Sequence, residues 1–237
     1  MRGFIGAGWN VIIHYFADSE RAAAEDLRRR AELAGVAAVC VHGDVRETAD
    51  CRRVATLARE TFGRLDGLVN SAGTTRIVPH ADLDALTMQD FLHTCAVNTA
   101  GPFQMTRACA PLLAEGEGGA VVIISSYGAI FGTGSSIAYA ASKGATNTLT
   151  LSLARVLAPK IRVNAVCPAL TEQGFVQRLD PVLFEARRAR QIERAPLHNI
   201  AQPEDIAKDV VWLIAGAKLM TGHIFMQDSG LHLNGDG

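Results

Sequence analysis

Short apolar runs rich in β-branched residues alternate along the chain with longer stretches of amphipathic spacing. Residues 10–15 (NVIIHY), 37–42, 65–70, 120–124 and 223–227 are apolar runs of strand length. Continuous rather than alternating hydrophobicity predicts parallel strands covered on both faces. Residues 162–166, followed by Pro168, read as a further strand. Between the runs the period lengthens. Residues 18–34 carry Ala22, Ala23, Leu27, Ala31 and Leu33, with arginines late, and predict a helix capped by Asp18 or Ser19 and stopped at Gly35. A second helix begins at Thr48 and stops near Gly63. Residues 87–114 read as one long helix bent at Gly101–Pro102, where proline removes a backbone donor. Residues 139–158 return to helical spacing, with Ala145, Leu149, Ser152, Leu153 and Val156 near one face. Pro203–Glu204–Asp205 opens a last helix, with proline where its missing N–H costs least. Strands alternating with helices of this length predict βαβ units and a three-layer, doubly wound α/β domain, with its ligand crevice at the carboxyl ends of the strands.

A chain of 237 residues suits one domain, 1–237, large enough for a three-layer core. A net charge of −1 offers no general attraction to nucleic acid or to an anionic membrane, so neither is an expected partner. The five cysteines are odd in number and scattered, which suggests a reducing compartment and no zinc site. The histidines are equally dispersed, and no metal is expected. No apolar run approaches the ~20 residues needed to span a bilayer. Residues 4–13 follow Arg2 but are broken by glycines and Asn10 and lack a cleavage region, so a cytoplasmic location is expected.

The densest candidate chemistry lies in residues 120–158. Ser125 and Ser126 leave the end of an apolar strand, and a glycine-bearing loop leads to a helix on which Tyr139 and Lys143 are one turn apart. Residues i and i+4 share a helix face, and an ammonium near a phenol favours the phenolate. A phenol of pKa about 10 is a poor base near neutrality. Brought toward the working pH, Tyr139 becomes a general acid/base for a substrate oxygen, and Ser126 is placed to hydrogen-bond that oxygen.

Together with these residues, several motifs resemble the short-chain dehydrogenase/reductase family, particularly its 3-oxoacyl-carrier-protein-reductase-like members. Ser126, Tyr139 and Lys143 match that family's catalytic Ser, Tyr and Lys in identity, order and spacing. Val97-Asn98-Thr99-Ala100-Gly101 is similar to its Asn-x-x-Gly segment, and Asn70-Ser71-Ala72-Gly73 to its Asn-Asn-Ala-Gly motif. Arg162-Val163-Asn164-Ala165-Val166 with Pro168 resembles the strand before its cofactor-contacting Pro-Gly turn, although Ala169 replaces the glycine. The likeness extends over residues 8–233. It implies a Rossmann-type fold and an NAD(P)-dependent interconversion of a small-molecule ketone and secondary alcohol. Tyr139 would be the acid/base, Ser126 would position the substrate oxygen, and Lys143 would bind the nicotinamide ribose and lower the Tyr139 pKa. Asn98 would hold a water in a proton relay. Asp44 and Val45 would border the adenine, Asn70, Ala72 and Gly73 would line the cofactor channel, and Pro168 and Ala169 would follow them. The resemblance also implies a mobile substrate lid at about 172–200, in which Phe175, Val176, Leu179 and Phe184 help cover the substrate, and a homotetramer or homodimer built on the two long helices. Residues 74–80 read equally as pocket lining or as ordinary surface loop.

One element of the family pattern is absent. Its members begin with a strand and a glycine-rich loop that holds the cofactor pyrophosphate. Gly3, Gly6 and Gly8 have a suggestive spacing but precede a strand instead of opening a helix. Residues 2–9 fit better as the tail of a first helix, which makes the expected fold N-terminally incomplete, with a slot between strand 10–15 and strand 65–70. A start site placed too late, a segment omitted from the sequence, or a truly short chain with weakened dinucleotide binding would each account for it. The first two are favoured over the third. The alternative to an enzyme is therefore a non-catalytic structural or regulatory subunit. With no carboxylate at the end of strand 10–15, where His14 and Tyr15 stand, NADP(H) is favoured over NAD(H).

Overall fold

The computed structural model describes residues 1–234. The chain opens on a short helix α1 (Arg2–Gly6) and then alternates: β1 (Val11–Tyr15), α2 (Arg21–Leu33), β2 (Ala38–His42), α3 (Thr48–Phe62) and β3 (Gly67–Asn70). Helices α4 (Met88–Cys95) and α5 (Gly101–Leu113) lead to β4 (Gly119–Ile124). A four-residue helix α6 (Gly128–Phe131), in what the sequence suggested was loop, and the long α7 (Ile137–Leu157) precede β5 (Ile161–Pro168). Helices α8 (Phe175–Leu179), α9 (Pro181–Arg194) and α10 (Pro203–Ala215) then return the chain to β6 (Ile224–Gln227).

All pairings between these strands are parallel, as predicted, but they form two sheets: β1 with β2, and β3-β4-β5-β6 in that order. The break falls where the slot is expected. Val11 N–H donates to the Ala37 carbonyl and the Tyr15 carbonyl accepts from Gly43, so the odd residues of β1 face β2. Main-chain groups alternate sides along a strand, which turns those of Ile12 and His14 the other way. By the same argument the Asp66 carbonyl, which accepts from Ala120, leaves Gly67 and Val69 facing away from β4. Unpaired groups of this kind cost about 1–3 kcal/mol each when fully buried. Ile12, His14, Gly67 and Val69 are only half-buried, so water reduces that cost.

The layers follow from the pleat. Val121 and Ile123 of β4 point to one face, where they pack with Cys51, Val54, Met105, Cys109, Leu113 and Leu153 of α3, α5 and α7. Ala120 and Val122 point to the other, against Val210, Leu213 and Ile214 of α10 and the rings of Phe4 and Trp9. A smaller cluster, Val11, Ile13, Ala24 and Ala31, holds α2 on the β1–β2 pair. Arg162, half-buried, donates to the carbonyls of Leu213, Ile214 and Ala217 and so closes the carboxyl end of α10.

Three local expectations are corrected. Neither Asp18 nor Ser19 caps α2. A 3₁₀ turn (Asp18–Glu20) precedes it, and the Glu20 carboxylate accepts from the amides of Phe16 and Ala17 at 3.0 and 3.1 Å. The bend foreseen at Gly101–Pro102 is taken up just upstream, as a π-helical turn over Ala96–Ala100. Pro102 has no N–H for the Asn98 carbonyl one α-turn back, so the ladder slips there. Thr87 caps the segment in a reciprocal pair with Asp90. On α7 the buried residues include Ser142, Thr146 and Thr150, while Ala145, Ser152 and Val156 are exposed. Thr150 bonds the carbonyl four residues back and the Thr146 hydroxyl lies 2.9 Å from the Asn98 and Ser142 carbonyls, so polar side chains take buried positions that apolar periodicity assigned elsewhere.

Candidate active site

The end of β4 is continued past its last strand residue by hydrogen bonds from Ser125 N–H to Val166 O at 2.7 Å and from Tyr127 N–H to Pro168 O at 2.8 Å. Between them, Ser126 Oγ accepts from the Gly128 amide at 3.1 Å, which leaves its proton to donate elsewhere. Ser136 caps α7 by accepting from Tyr139 N–H at 3.2 Å. The first turn of that helix therefore sets Tyr139 over the strand end, with Lys143 one turn behind.

Lys143 is 4% exposed. Its Nζ donates to the Ile124 carbonyl at 2.7 Å and lies 5.8 Å from the centroid of the Tyr139 ring. Burial brings the ammonium pKa down to about 8, opposed only by the neighbouring Cys167 thiol. Burial also pushes the Tyr139 phenol above its ordinary value, while its hydrogen bond with the Ser126 hydroxyl pulls the other way. The expected lowering of Tyr139 by Lys143 is thus not what the structure displays. Desolvation dominates both groups, and the ammonium is drawn toward the strand carbonyl. Cys167 is fully buried at the end of β5, donates to Asn147 Oδ1 at 3.6 Å, and has its thiol pKa raised by burial.

Asn98 lies in the π turn with no exposed surface. Its Oδ1 accepts from Thr74 N–H at 2.8 Å, and its Nδ2 donates to Thr74 O and to Ser142 Oγ, both at 3.0 Å. Ser142 in turn donates to the Tyr139 carbonyl at 2.7 Å. Asn98 therefore links the loop after β3 to the turn of α7 that carries Tyr139. In that loop, a Cβ added at Gly73 would lie 3.4 Å from Asn98 Oδ1 and 3.6 Å from the Phe175 ring. Asn70, at the end of β3, donates to Thr106 Oγ1 at 3.1 Å, and Ala72 is exposed.

Pro168 ends β5 and Ala169 follows it at the same edge, with Ala169 N–H donating to Gln227 O at 3.0 Å. Ser126, Tyr139, Lys143, Asn98 and Gly73 are thus gathered at the strand ends of the larger sheet. Asp44 and Val45 belong to the other sheet. Asp44 is paired with Arg46 at 2.5 Å, and the guanidinium holds its carboxyl below the usual range. The Val45 side chain points into the core, against Gly101, where an added Cβ would come within 2.7 Å of Val45 Cγ2. Only its main chain is left to border a ligand.

The region 172–200 is helical over much of its length. Phe175 of α8 meets Gly73, Arg187 of α9 donates to the Gly134 carbonyl at 3.3 Å, and Arg188 pairs with Glu172 at 2.8 Å. Phe184, assigned to the substrate cover, is instead 1% exposed, and Leu179 is 56% exposed. The helix α9 turns Phe184 inward because its other faces carry charge. Residues 74–80 are tied to the loop before α7 through Val78 N–H to Ser135 O at 2.8 Å and a Thr75–Ser135 hydroxyl contact at 2.5 Å. Thr74, Ser142 and Thr146 were not singled out from the sequence. The signal available was the four-residue spacing of Ser142, Thr146 and Thr150, which marks a hydroxyl stripe on one helix face.

The residues suit a nicotinamide ribose. Lys143 has three donors and uses one, and the Ser126 and Tyr139 hydroxyls share its end of the crevice. At the pyrophosphate end the fit is incomplete, because among the described residues no glycine-rich turn runs from a strand into a helix there.

A family model described as enoyl-(acyl carrier protein) reductase matches residues 2–232. A Streptomyces violaceoruber protein described as ketoacyl reductase 2 of the granaticin polyketide synthase is 42% identical over 196 residues, covering 83% of this chain and 78% of that one. L-rhamnose 1-dehydrogenase (NAD(P)(+)) of Azotobacter vinelandii is 33% identical over 94% of this chain and 87% of its own. A crystal structure described as a short-chain dehydrogenase/reductase from Burkholderia xenovorans superposes with a TM-score of 0.89 at 42% identity, covering 97% of this chain and 90% of that chain.

Proposed function

The chain belongs to the short-chain dehydrogenase/reductase family, and from that premise we propose that it interconverts a ketone and a secondary alcohol on a small molecule, using NAD(P). The observation that carries the proposal is the gathering of Ser126, Tyr139, Lys143 and Asn98 at one strand edge, with Lys143 buried and donors to spare. The nicotinamide supplies the hydride when bound. Tyr139 exchanges the proton with the substrate oxygen, and Ser126 donates a hydrogen bond to that oxygen. Lys143 holds the nicotinamide ribose, and its charge there favours the phenolate, against the desolvation that otherwise raises the phenol. Asn98 sustains the proton relay. Asn70, Ala72, Gly73, Pro168 and Ala169 line the cofactor channel, and Asp44 with the Val45 main chain borders the adenine. Tyr139→Phe lowers turnover by a factor of about 10²–10⁴. Turnover retained at the wild-type rate rules the assignment out.

The ketoacyl reductase among its relatives supports a 3-oxoacyl-like substrate, read with acyl thioesters of graded length. NADP(H) is the preferred nucleotide, since no carboxylate occupies the last positions of β1. Michaelis constants for NADPH and NADH decide this, and a strong NADH preference refutes it. A homotetramer or homodimer on α4–α5 and α7 accords with the exposed Leu92, Phe103 and Leu151, and light scattering that finds a monomer removes it. The unpaired cysteines suit the cytoplasm. The break in the sheet supports a second reading, a non-catalytic subunit with impaired nucleotide binding. Calorimetry with NADPH and NADH separates the two.

A further inference from the structure

Thr146 stands outside every motif, yet it is fully buried and its hydroxyl lies 2.9 Å from two carbonyl oxygens, those of Asn98 and Ser142. A hydroxyl has one proton to give. The Ser142 carbonyl already receives the Thr99 hydroxyl at 2.9 Å, besides the helical N–H of its own i+4 residue. The Asn98 carbonyl has lost its i+4 donor, because residue 102 is proline and has no N–H to offer it. Donor accounting therefore directs the Thr146 proton to Asn98 O.

The other groups of Asn98 are committed to Thr74 and to Ser142, and Ser142 holds the Tyr139 carbonyl. The π turn is thus fastened to α7 at the Asn98 carbonyl by Thr146 and at the Asn98 side chain by Ser142. We infer that Thr146 is a positioning residue, whose hydroxyl holds the Asn98 carbonyl and through Asn98 and Ser142 sets the pose of Tyr139. This rests on the oxidoreductase reading, with Tyr139 as acid/base. Thr146 touches none of the reacting groups itself.

The test uses Thr146→Val, which keeps the shape and removes the hydroxyl, and Thr146→Ser, which keeps the hydroxyl. Two signals are followed by carbon-13 labelling of asparagine carbonyls and nitrogen-15 labelling of threonine, which selects Asn98–Thr99 and Asn147–Thr148. In Thr146→Val the Asn98 carbonyl signal moves in the direction of a lost hydrogen bond; the Asn147 signal, from the residue next to the substitution, is set aside, and the Asn98 position in Thr146→Ser is the reference. The kcat falls about tenfold, the nucleotide KM stays within about twofold, and the pH profile of kcat shifts. Thr146→Ser restores all of these. An unmoved Asn98 signal overturns the inference. So does a moved signal with wild-type kcat and pH profile, or a Ser variant as impaired as Val, which would make the effect one of methyl packing. Wild-type protein that turns over no carbonyl with either nucleotide refutes the oxidoreductase reading and the catalytic role of Thr146 with it, while the carbonyl signals still report separately on the Asn98 contact.

Discussion

Strands β4 and β5 are buried along nearly their whole length, whereas β1 and β2 alternate between buried and half-buried positions or are half-buried for most of their length. Both pairs are apolar and parallel. The first has a strand on each side and helices on both faces, and the second ends at an edge with no strand beside it. The ends of the first carry buried polar groups that are almost all satisfied: Asn98, Ser142, Thr146, Lys143 and Asn164 each have named partners. The ends of the second carry ion pairs in reach of water, Asp44 with Arg46 and Asp50 with Arg53, and a His14 Nε2 with no partner. On the proposed function, the difference teaches that proton chemistry and nucleotide contact would be held to different tolerances. A buried network with every donor assigned specifies one geometry, while surface pairs leave many of similar energy.

The largest expected effect comes from the most buried charge. Lys143→Met abolishes turnover and, near neutral pH, stabilises the fold by about 1–3 kcal/mol, because a desolvated ammonium no longer has to be accommodated. In the wild type the Lys143 pKa is about 8 when folded against 10.5 ordinarily. Between those values the unfolded chain holds a proton the folded protein has lost, so stability rises with pH across that window, by about 3 kcal/mol in total from this group. The raised Tyr139 pKa acts in the opposite sense above its ordinary value of 10, where the folded protein keeps a proton the unfolded chain has released. Burial raises the thiols of Cys167 and Cys109 as well, and near pH 9 they oppose the lysine in the same way. The lysine is therefore read from the difference between wild type and Lys143→Met in denaturant titrations between pH 8 and 10. A variant with the same pH slope as wild type contradicts the argument.

Next is the joint between the two regions. Gly101→Ala places a methyl 2.7 Å from Val45 Cγ2, and the overpacking costs about 1–3 kcal/mol. Since Val45 anchors the strand–helix turn that carries Asp44, the nucleotide KM rises more than kcat falls. An unchanged melting temperature would show that Val45 repacks freely.

Hydrogen exchange compares the sheets directly. Amides of Ile12 and His14, turned from β2, lose protection roughly 100-fold faster than those of Val121 and Ile123, which are paired within the larger sheet. Equal protection would mean the break in the sheet is closed in solution. The smallest effect is Arg46→Ala, which removes a water-reachable ion pair and changes stability by about 0.5 kcal/mol or less. A loss above 2 kcal/mol would show that the β1–β2 ends are as tightly specified as the site.

Much of this was legible before folding. Parallel strands buried on both faces read as continuous apolar runs, so all six were found within a few residues, and Tyr139 and Lys143 share a helix face by spacing alone. The site residues with strong chemistry were legible for the same reason: short-range spacing, proline and strand ends leave local marks. Residues whose role depends on a distant partner left almost none. Nothing near Thr146 in the chain indicates a carbonyl at Asn98 left without its i+4 donor by Pro102, and nothing near Phe184 indicates that it turns into the core and not over a substrate. The sequence by itself determined the strands, most helices, the family and the Tyr139–Lys143 pairing, because these follow from periodicity and local spacing. Only the tertiary structure decided the inward turn of Phe184, the buried hydroxyl face of α7 and the desolvation that governs both pKa values. Each of those depends on which groups lie beside one another across tens of residues, and on how much water is left between them.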